Sequence, residues 1–326
     1  MSVVQTVRGP VDSTALGRTL SHEHLTNGVS GMERIAGLLR RDEMVSRCVE
    51  ALERVRQDGI ETVIDLTPFD LGRQVWLFEE VASRTTVNVV CATGVYRWVP
   101  PIYFGWDEDE IAAHFVREIT EGIEGSSIRP GIIKLAWDLE YRLNEGMPGG
   151  NPRAQLEKTA RAAARAAKAT GTPISCHTRA VDALGTPLVD IFEDEGLDLR
   201  AVTIGHSNDT TDLDYLESIA RRGAVVGLDR FFSQADDYVA QRGGLALALI
   251  KAGFAEQVCL GHDASPAGLW GRWRDPNPNC WTLVPKYEVP WLVANGATED
   301  EIDAVLHRSI RSTFEAAARM PSRREA

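Results

Sequence analysis

The feature that most constrains this chain is an alternation. Short apolar runs rich in β-branched residues recur along it, separated by stretches with helical periodicity. Eight such runs stand at 19–24, 61–66, 87–94, 131–136, 172–177, 202–206, 224–228 and 258–263. Their near-continuous hydrophobicity fits strands buried on both faces, the pattern of a parallel sheet. Parallel neighbours need crossover connections, and the intervening segments supply helices for them. Asp42 is placed to cap a helix running to Asp58, with Gly59 as its stop. Pro152 precedes the Ala-rich stretch 153–170, which Gly171 closes. Further helices are expected at 108–123, 212–222, 244–252 and 299–318. No Pro/Gly/Ser-rich linker, internal repeat or low-complexity tract interrupts the series, so residues 1–326 read as one domain. The expected fold is α/β: a single (β/α)₈ TIM barrel, preceded by a short extended N-terminal extension of about 18 residues.

Composition narrows the partners. A formal charge of −12 disfavours nucleic acid and anionic membrane, which both call for a basic surface. The N-terminus shows no basic start followed by an apolar run, and no stretch approaches the ~20 apolar residues of a membrane span. Cys48, Cys91, Cys176, Cys259 and Cys280 are odd in number and never spaced C-x-x-C, which suits a reducing cytoplasm better than a disulfide framework. The expected partner is a small-molecule substrate.

In a barrel of this kind the active site lies at the C-terminal ends of the strands. Reactive side chains collect there. His22 and His24 close the first run, Lys134 sits late in the fourth, His177 ends the fifth, His206 the sixth and Asp263 the eighth. Side chains alternate across a strand, so His22 and His24 share a face while Glu23 points away. Two imidazoles side by side can offer neutral nitrogens to one metal ion. Lys134 interrupts the apolar Gly-Ile-Ile-Lys-Leu-Ala, where a buried ammonium is costly. Beside two cations its amine would be driven neutral, and a neutral amine can add carbon dioxide to give a carbamate with two bridging oxygens. Two dications, balanced by Asp263, that carbamate and one hydroxide, leave a single positive charge for an anionic transition state.

Each residue alone also has a structural explanation. The histidine pair could be incidental near a turn, and a lone histidine after a strand is commonly a hydrogen-bonded core residue. Lys134 could snorkel its amine out of the strand end, and Asp263 could cap a helix start just beyond it. The distribution of histidines favours a site: four of seven fall at strand ends. His114 lies mid-helix, His307 lies in the C-terminal helix, and alternation turns His262 away from Asp263.

Taken together, the His-x-His of Thr19-Leu-Ser-His-Glu-His, Lys134, His177, Gly205-His206 and Asp263 resemble the phosphotriesterase-like family of the amidohydrolase superfamily over essentially the whole chain. The resemblance implies that His22, His24 and Asp263 hold the more buried of two divalent ions and His177 and His206 the more exposed one. Carboxylated Lys134 and a hydroxide would bridge them. A His/carboxylate site accepts zinc, cobalt, manganese or iron, with zinc the first expectation. The family is typically homodimeric.

Within that family, Gly227-Leu-Asp-Arg230 and Gly94-Val-Tyr96 are similar to motifs of the lactonases. The roles this implies are orientation of the lactone ring by Arg230 and polarisation of its carbonyl by Tyr96. Asp263 would serve as the proton acceptor, and N-acyl-homoserine lactones are the leading substrates. Other readings stay open. The same cations could activate water against an organophosphate triester, or the barrel could bind metal without turnover. Arg230 could be a surface arginine paired with Asp229, and Tyr96 and Trp98 could be packing residues. The segment 264–285 is dense in Trp, Pro, Gly and Asn, and Trp270 and Trp273 are expected to line an apolar channel for the tail. Departures from the family pattern are the Leu after Lys134, Gly205-His-Ser-Asn-Asp, and the remote His307-Arg-Ser-Ile.

Overall fold

Two antiparallel strands, β1 (Val3–Thr6) and β2 (Gly9–Asp12), come first in the computed structural model. Eight parallel strands follow: β3 (Thr19–Glu23), β4 (Thr62–Asp65), β5 (Asn88–Gly94), β6 (Ile132–Trp137), β7 (Ile174–Thr178), β8 (Val202–Gly205), β9 (Val225–Leu228) and β10 (Val258–Leu260). They pair in chain order from β3 to β10. The structure describes residues 2–29, 31–35, 39–96, 99–138, 152–269 and 275–320.

The sheet closes on itself through a seam of hydrogen bonds between its first and last strands. Ser21 Oγ donates to the Leu260 carbonyl at 2.9 Å, the Asp263 N–H donates to the His22 carbonyl at 2.9 Å, and the His24 N–H donates to the Ala264 carbonyl at 3.0 Å. Gly261 sits where a Cβ would lie 2.9 Å from the His22 nitrogen, so the seam tolerates no side chain there. Behind it, Glu23 turns away from its two histidine neighbours. Its Oε1 accepts from the His262 backbone N–H at 2.8 Å and from His262 Nδ1 at 2.6 Å. His262 Nε2 in turn accepts the Val284 N–H at 3.0 Å, and burial pushes this imidazole down to about 3. His262 is therefore a neutral structural residue facing away from Asp263, as alternation requires.

Helices cover the barrel: α1 (Arg41–Gln57), α2 (Val75–Ala82), α3 (Glu108–Glu121), α4 (Pro152–Thr170), α5 (Gly185–Asp194), α6 (Leu213–Arg221), α7 (Asp236–Leu249), α8 (Val289–Ala294), α9 (Glu299–Asp303) and α10 (Ser309–Ala318). Three of their starts are specified by side-chain caps. Asp107 and Glu110 form a reciprocal capping box at α3, Thr298 and Glu301 do the same at α9, and Asp212 caps α6. Asp42 is not the cap of α1; it lies in the first turn and binds Arg40. Gly171 stops α4 at φ +69°, donating to the Ala167 carbonyl.

Two further expectations need correction. The N-terminal segment is a β-hairpin, not a plain extension. Val7 N–H donates to the Val89 carbonyl at 2.9 Å, and Val4 buries against Ile64, Val90, Ile132 and Phe314. It thereby plugs the end of the barrel opposite the expected site. The seventh helix begins at Asp236, eight residues before the expected 244. Gly243 lies inside α7, where a Cβ would come within 2.4 Å of Trp291. All five cysteines are free and buried.

Candidate metal centre

Five of the strands bring polar side chains into the barrel mouth at or near their C-terminal ends. His22 and His24 share the inward face of β3, with ring centroids 5.3 Å apart. Lys134 on β6 is wholly buried, not snorkelled, and its Nζ lies 3.1 Å from His22 Nε2. Room for its backbone comes from Gly94 at φ +109°, where a Cβ would fall 2.0 Å from the Lys134 carbonyl oxygen. His206 and Asp263 follow β8 and β10 in left-handed conformations, φ +60° and +50°, which are uncommon for residues bearing a Cβ. His206 stacks on His22 at 5.1 Å and meets His177 edge-on at 4.4 Å. Asp263 Oδ1 lies 3.1 Å from His24 Nε2 and 3.6 Å from His22 Nε2, and its Oδ2 is 3.9 Å from His206 Nε2. Its carboxylate thus serves the imidazoles and not a helix start. All six residues expected as ligands converge.

The outer nitrogens decide whether the set suits a cation. His22 Nδ1 is 2.6 Å from Asp229 Oδ2, and His206 Nδ1 is 2.8 Å from Asp229 Oδ1. His177 Nε2 is 2.7 Å from Asp138 Oδ2. His24 Nδ1 is 2.8 Å from Thr67 Oγ1, whose own hydrogen goes to the Thr26 carbonyl at 3.1 Å. Every outer partner is therefore an acceptor. Each ring carries its proton outward and presents a lone pair on its other nitrogen, as a metal ligand must. Burial keeps three of the rings neutral, pushing His22 down to about 4, His177 below its ordinary value and His206 well below it. Burial also pushes the Lys134 amine down to about 8, against the pull of Asp263 and Asp229. The ligand atoms of His22, His24 and Asp263 lie within 4.8 Å of one another, a spacing that fits one cation.

Tyr96 and Arg230 frame this cluster. Tyr96 OH is 3.4 Å from His177 Nδ1, and its ring centroid lies 5.8 Å from Lys134 Nζ. The Tyr96 N–H donates to buried Asp70 at 2.9 Å. Arg230 Nε donates to Asp263 Oδ2 at 3.2 Å, and its Nη1 pairs with Asp209. The alternative pairing of Arg230 with Asp229 is overturned. Successive residues point to opposite sides, so Asp229 goes inward behind the histidines while Arg230 reaches the rim. Asp229, Asp138, Thr67 and Asp209 are the functional residues that the sequence reading missed. Asp138 directly follows the Lys134 strand and Asp209 lies three residues after His206, which was a usable signal. Thr67 carried none.

Trp98, Trp270 and Trp273 lie outside the described residues. Of the 264–285 segment, Leu269 N–H donates to the Asn27 carbonyl at 2.8 Å, and fully buried Trp281 donates its Nε1–H to the Ala264 carbonyl at 2.9 Å. A cavity of about 210 Å³ beside these anchors is lined by Phe231, Phe232, Ala264, Cys280 and Leu283, among others.

A parallel barrel with four imidazoles, a buried lysine and a carboxylate at its C-terminal mouth defines a metal-dependent hydrolase. The chain belongs to the phosphotriesterase family, within the amidohydrolase superfamily: the profile of that family matches residues 2–314. It is 32% identical over 313 residues to the aryldialkylphosphatase of Saccharolobus solfataricus, a match covering 93% of this chain and 96% of that one. The phosphotriesterase structure from Mycobacterium tuberculosis superimposes with a TM-score of 0.82 at 32% identity, covering 96% of this chain and 98% of that one. The N-acetyltaurine hydrolase of Dictyostelium discoideum is 25% identical over 229 residues, 66% of this chain and 59% of that one. Among the described residues, no helix is long and apolar enough to cross a membrane.

Proposed function

We propose that the chain is a lactonase that holds two divalent ions and opens lactones bearing an acyl tail, N-acyl-homoserine lactones first among them. His22, His24 and Asp263 would hold one ion and His177 and His206 the other, with Lys134 bridging them as a carbamate. Zinc is the first expectation, and cobalt, manganese or iron would also suit these donors. Bound there, the ions supply a Lewis acid for a carbonyl oxygen and a water activated near neutral pH. The carbamate needs a neutral amine, and the full burial of Lys134 favours one.

The observation that carries the lactone reading is the placement of Tyr96 and Arg230. They leave β5 and β9, which stand four strands apart in a closed ring of eight and so face each other across the mouth. A lactone, with a planar ester group and a small ring, would lie between this phenol and a guanidinium tied to Asp209 and Asp263. In this arrangement the Tyr96 hydroxyl donates to the carbonyl oxygen and Arg230 orients the ring. Asp263 accepts the proton of the attacking water and returns it to the ring oxygen as the ester C–O bond breaks. The cavity bordered by Phe231 and Phe232 has a mixed lining, with Asp275, Asn277 and Asn279 beside its apolar side chains; a tail reaching the apolar part would gain ~0.8 kcal/mol per buried methylene at most.

The aryldialkylphosphatase relative favours a second reading, a triester substrate on the same residues. A turnover screen of purified, metal-analysed protein against lactones of varied tail length and one triester separates the two. Lactone efficiency should exceed triester efficiency by at least ~100-fold, about 2.7 kcal/mol in transition-state binding. A better triester rate moves the assignment to a phosphotriesterase.

A further inference from the structure

Asp229 lies one residue beyond β9, is 1% exposed, and holds histidines from two different strands. Its Oδ2 takes His22 Nδ1 at 2.6 Å. Its Oδ1 takes both the ring Nδ1 of His206 at 2.8 Å and the His206 backbone N–H at 2.7 Å. We infer that Asp229 is a positioning residue that couples the two ion positions: one carboxylate orients a ligand of each, so the two ions load together. The inference rests on the two-ion reading proposed above.

The other supports are private to one position. Thr67 holds His24 and Asp138 holds His177. Asp229 instead spans both. His22 Nε2 belongs with His24 and Asp263, whereas His206 sits against His177. The two rings that share Asp229 stack 23° from parallel with centroids 5.1 Å apart, as expected of imidazoles hung from one planar group. A carboxylate is rigid, so turning it to follow one ring withdraws an oxygen from the other. Asp229 also fixes the backbone of His206, which stands at φ +60° and needs an external hold. Nor can it drift easily. A Cβ on Gly205 would lie 2.8 Å from Asp229 Oδ2, so the carboxylate packs against a bare Cα.

Asp229 could instead be a direct ligand, since its oxygens and the two histidines lie within 4.8 Å of one another. The distances argue otherwise. At 2.6 and 2.8 Å each oxygen accepts an imidazole N–H on the side that faces the two rings, and no ion fits within a hydrogen bond. Ordering of His22 by a first ion therefore fixes Asp229, and Asp229 fixes His206 for the second.

Native mass spectrometry of metal-free protein titrated with zinc reads the number of ions per chain. At one equivalent, wild type should show mainly empty and doubly loaded chains, with singly loaded chains the minority. In Asp229→Asn, whose amide cannot accept from both rings, both ions should bind ~10–100-fold more weakly. Asp138→Asn should weaken one ion by that factor and the other less. A singly loaded majority in wild type overturns the coupling, and this arm does not depend on any variant folding. So does an Asp229→Asn protein that keeps one ion at wild-type affinity. Wild type that never holds two ions at saturating zinc overturns the two-ion reading itself.

Discussion

Replacing Glu288 with glutamine should stabilise the protein, and increasingly so as pH rises. Glu288 ends the wide helical turn Val284–Glu288 before α8 and is 1% exposed. Among the described residues, neither of its carboxyl oxygens meets a hydrogen-bond partner. Helix α7 closes over it at Gly243, where a Cβ would stand 2.7 Å from Oε1. Arg242 favours its ionised form, but that guanidinium is turned to Asp209 at 3.5 Å. Burial therefore dominates and pushes the carboxyl from 4.5 up to about 8.

The sign comes from linkage. Below pH 4.5 the group is protonated in both states and pH has no effect through it. Between the two values the unfolded chain gives up a proton that the folded chain keeps, so stability falls by ~1.4 kcal/mol per pH unit. The accumulated cost is about 1 kcal/mol at pH 5 and about 4 kcal/mol at pH 8, and it levels off above that. Glutamine has the same shape and never ionises, so the variant lacks this slope. Urea midpoints of both proteins at pH 5 and pH 8, at one fixed zinc concentration, provide the measurement. Protonation of the metal-site histidines is common to both and cancels in the difference. A gap that does not widen with pH, or a wild type that is the more stable at pH 8, refutes the reasoning.

Lys134→Ala should lower bound zinc to one equivalent or less, with turnover falling at least ~100-fold; two ions per chain with near-normal turnover, read by elemental analysis beside the assay, would end the carbamate proposal. Gly94→Ala places a Cβ 2.0 Å from the Lys134 carbonyl at φ +109°, and should cost about 3 kcal/mol or more, measured as a lowered melting temperature. Arg230→Ala frees Asp263 and so should slow both substrate classes, but the lactone rate should fall a further ~10-fold, since orientation of the ring is lost as well. Equal losses on lactone and triester would remove Arg230 from the specificity argument.

Much of this architecture was legible in the sequence, and the omissions have physical causes. All eight barrel strands stand where continuous apolar runs placed them, because burial on both faces leaves a strong local mark. The six ligand positions were readable because strand ends and alternation fix direction without knowledge of packing. Helix α2, Val-Trp-Leu-Phe-Glu-Glu-Val-Ala, was not, since eight residues barely show a helical period. Helix α7 began earlier than expected because Gly243 records close packing by Trp291 and Glu288, a tertiary fact. Asp229 was visible in Gly-Leu-Asp-Arg, yet its partners His22 and His206 lie 207 and 23 residues away. A second-layer carboxylate is defined by what it touches, and local sequence does not carry that.

The site and the closure of the barrel are made from the same residues. His22 and His24 end the first barrel strand, Asp263 follows the last, and the Asp263 N–H and His22 carbonyl form part of the seam. The strained backbone of Asp263, at φ +50°, is held by that hydrogen bond on one side and by the contact of its carboxylate with His24 on the other. An ion taken up by this trio would therefore tie β3 to β10 across 241 residues of chain, and its binding energy would oppose opening of the barrel. Removing metal with a chelator should accelerate amide hydrogen exchange along β3 and β10 first, before the middle strands β6 and β7 respond. Uniform acceleration over all eight strands would mean that the seam is no weaker than the rest of the sheet, and that closure of the barrel does not depend on the ion.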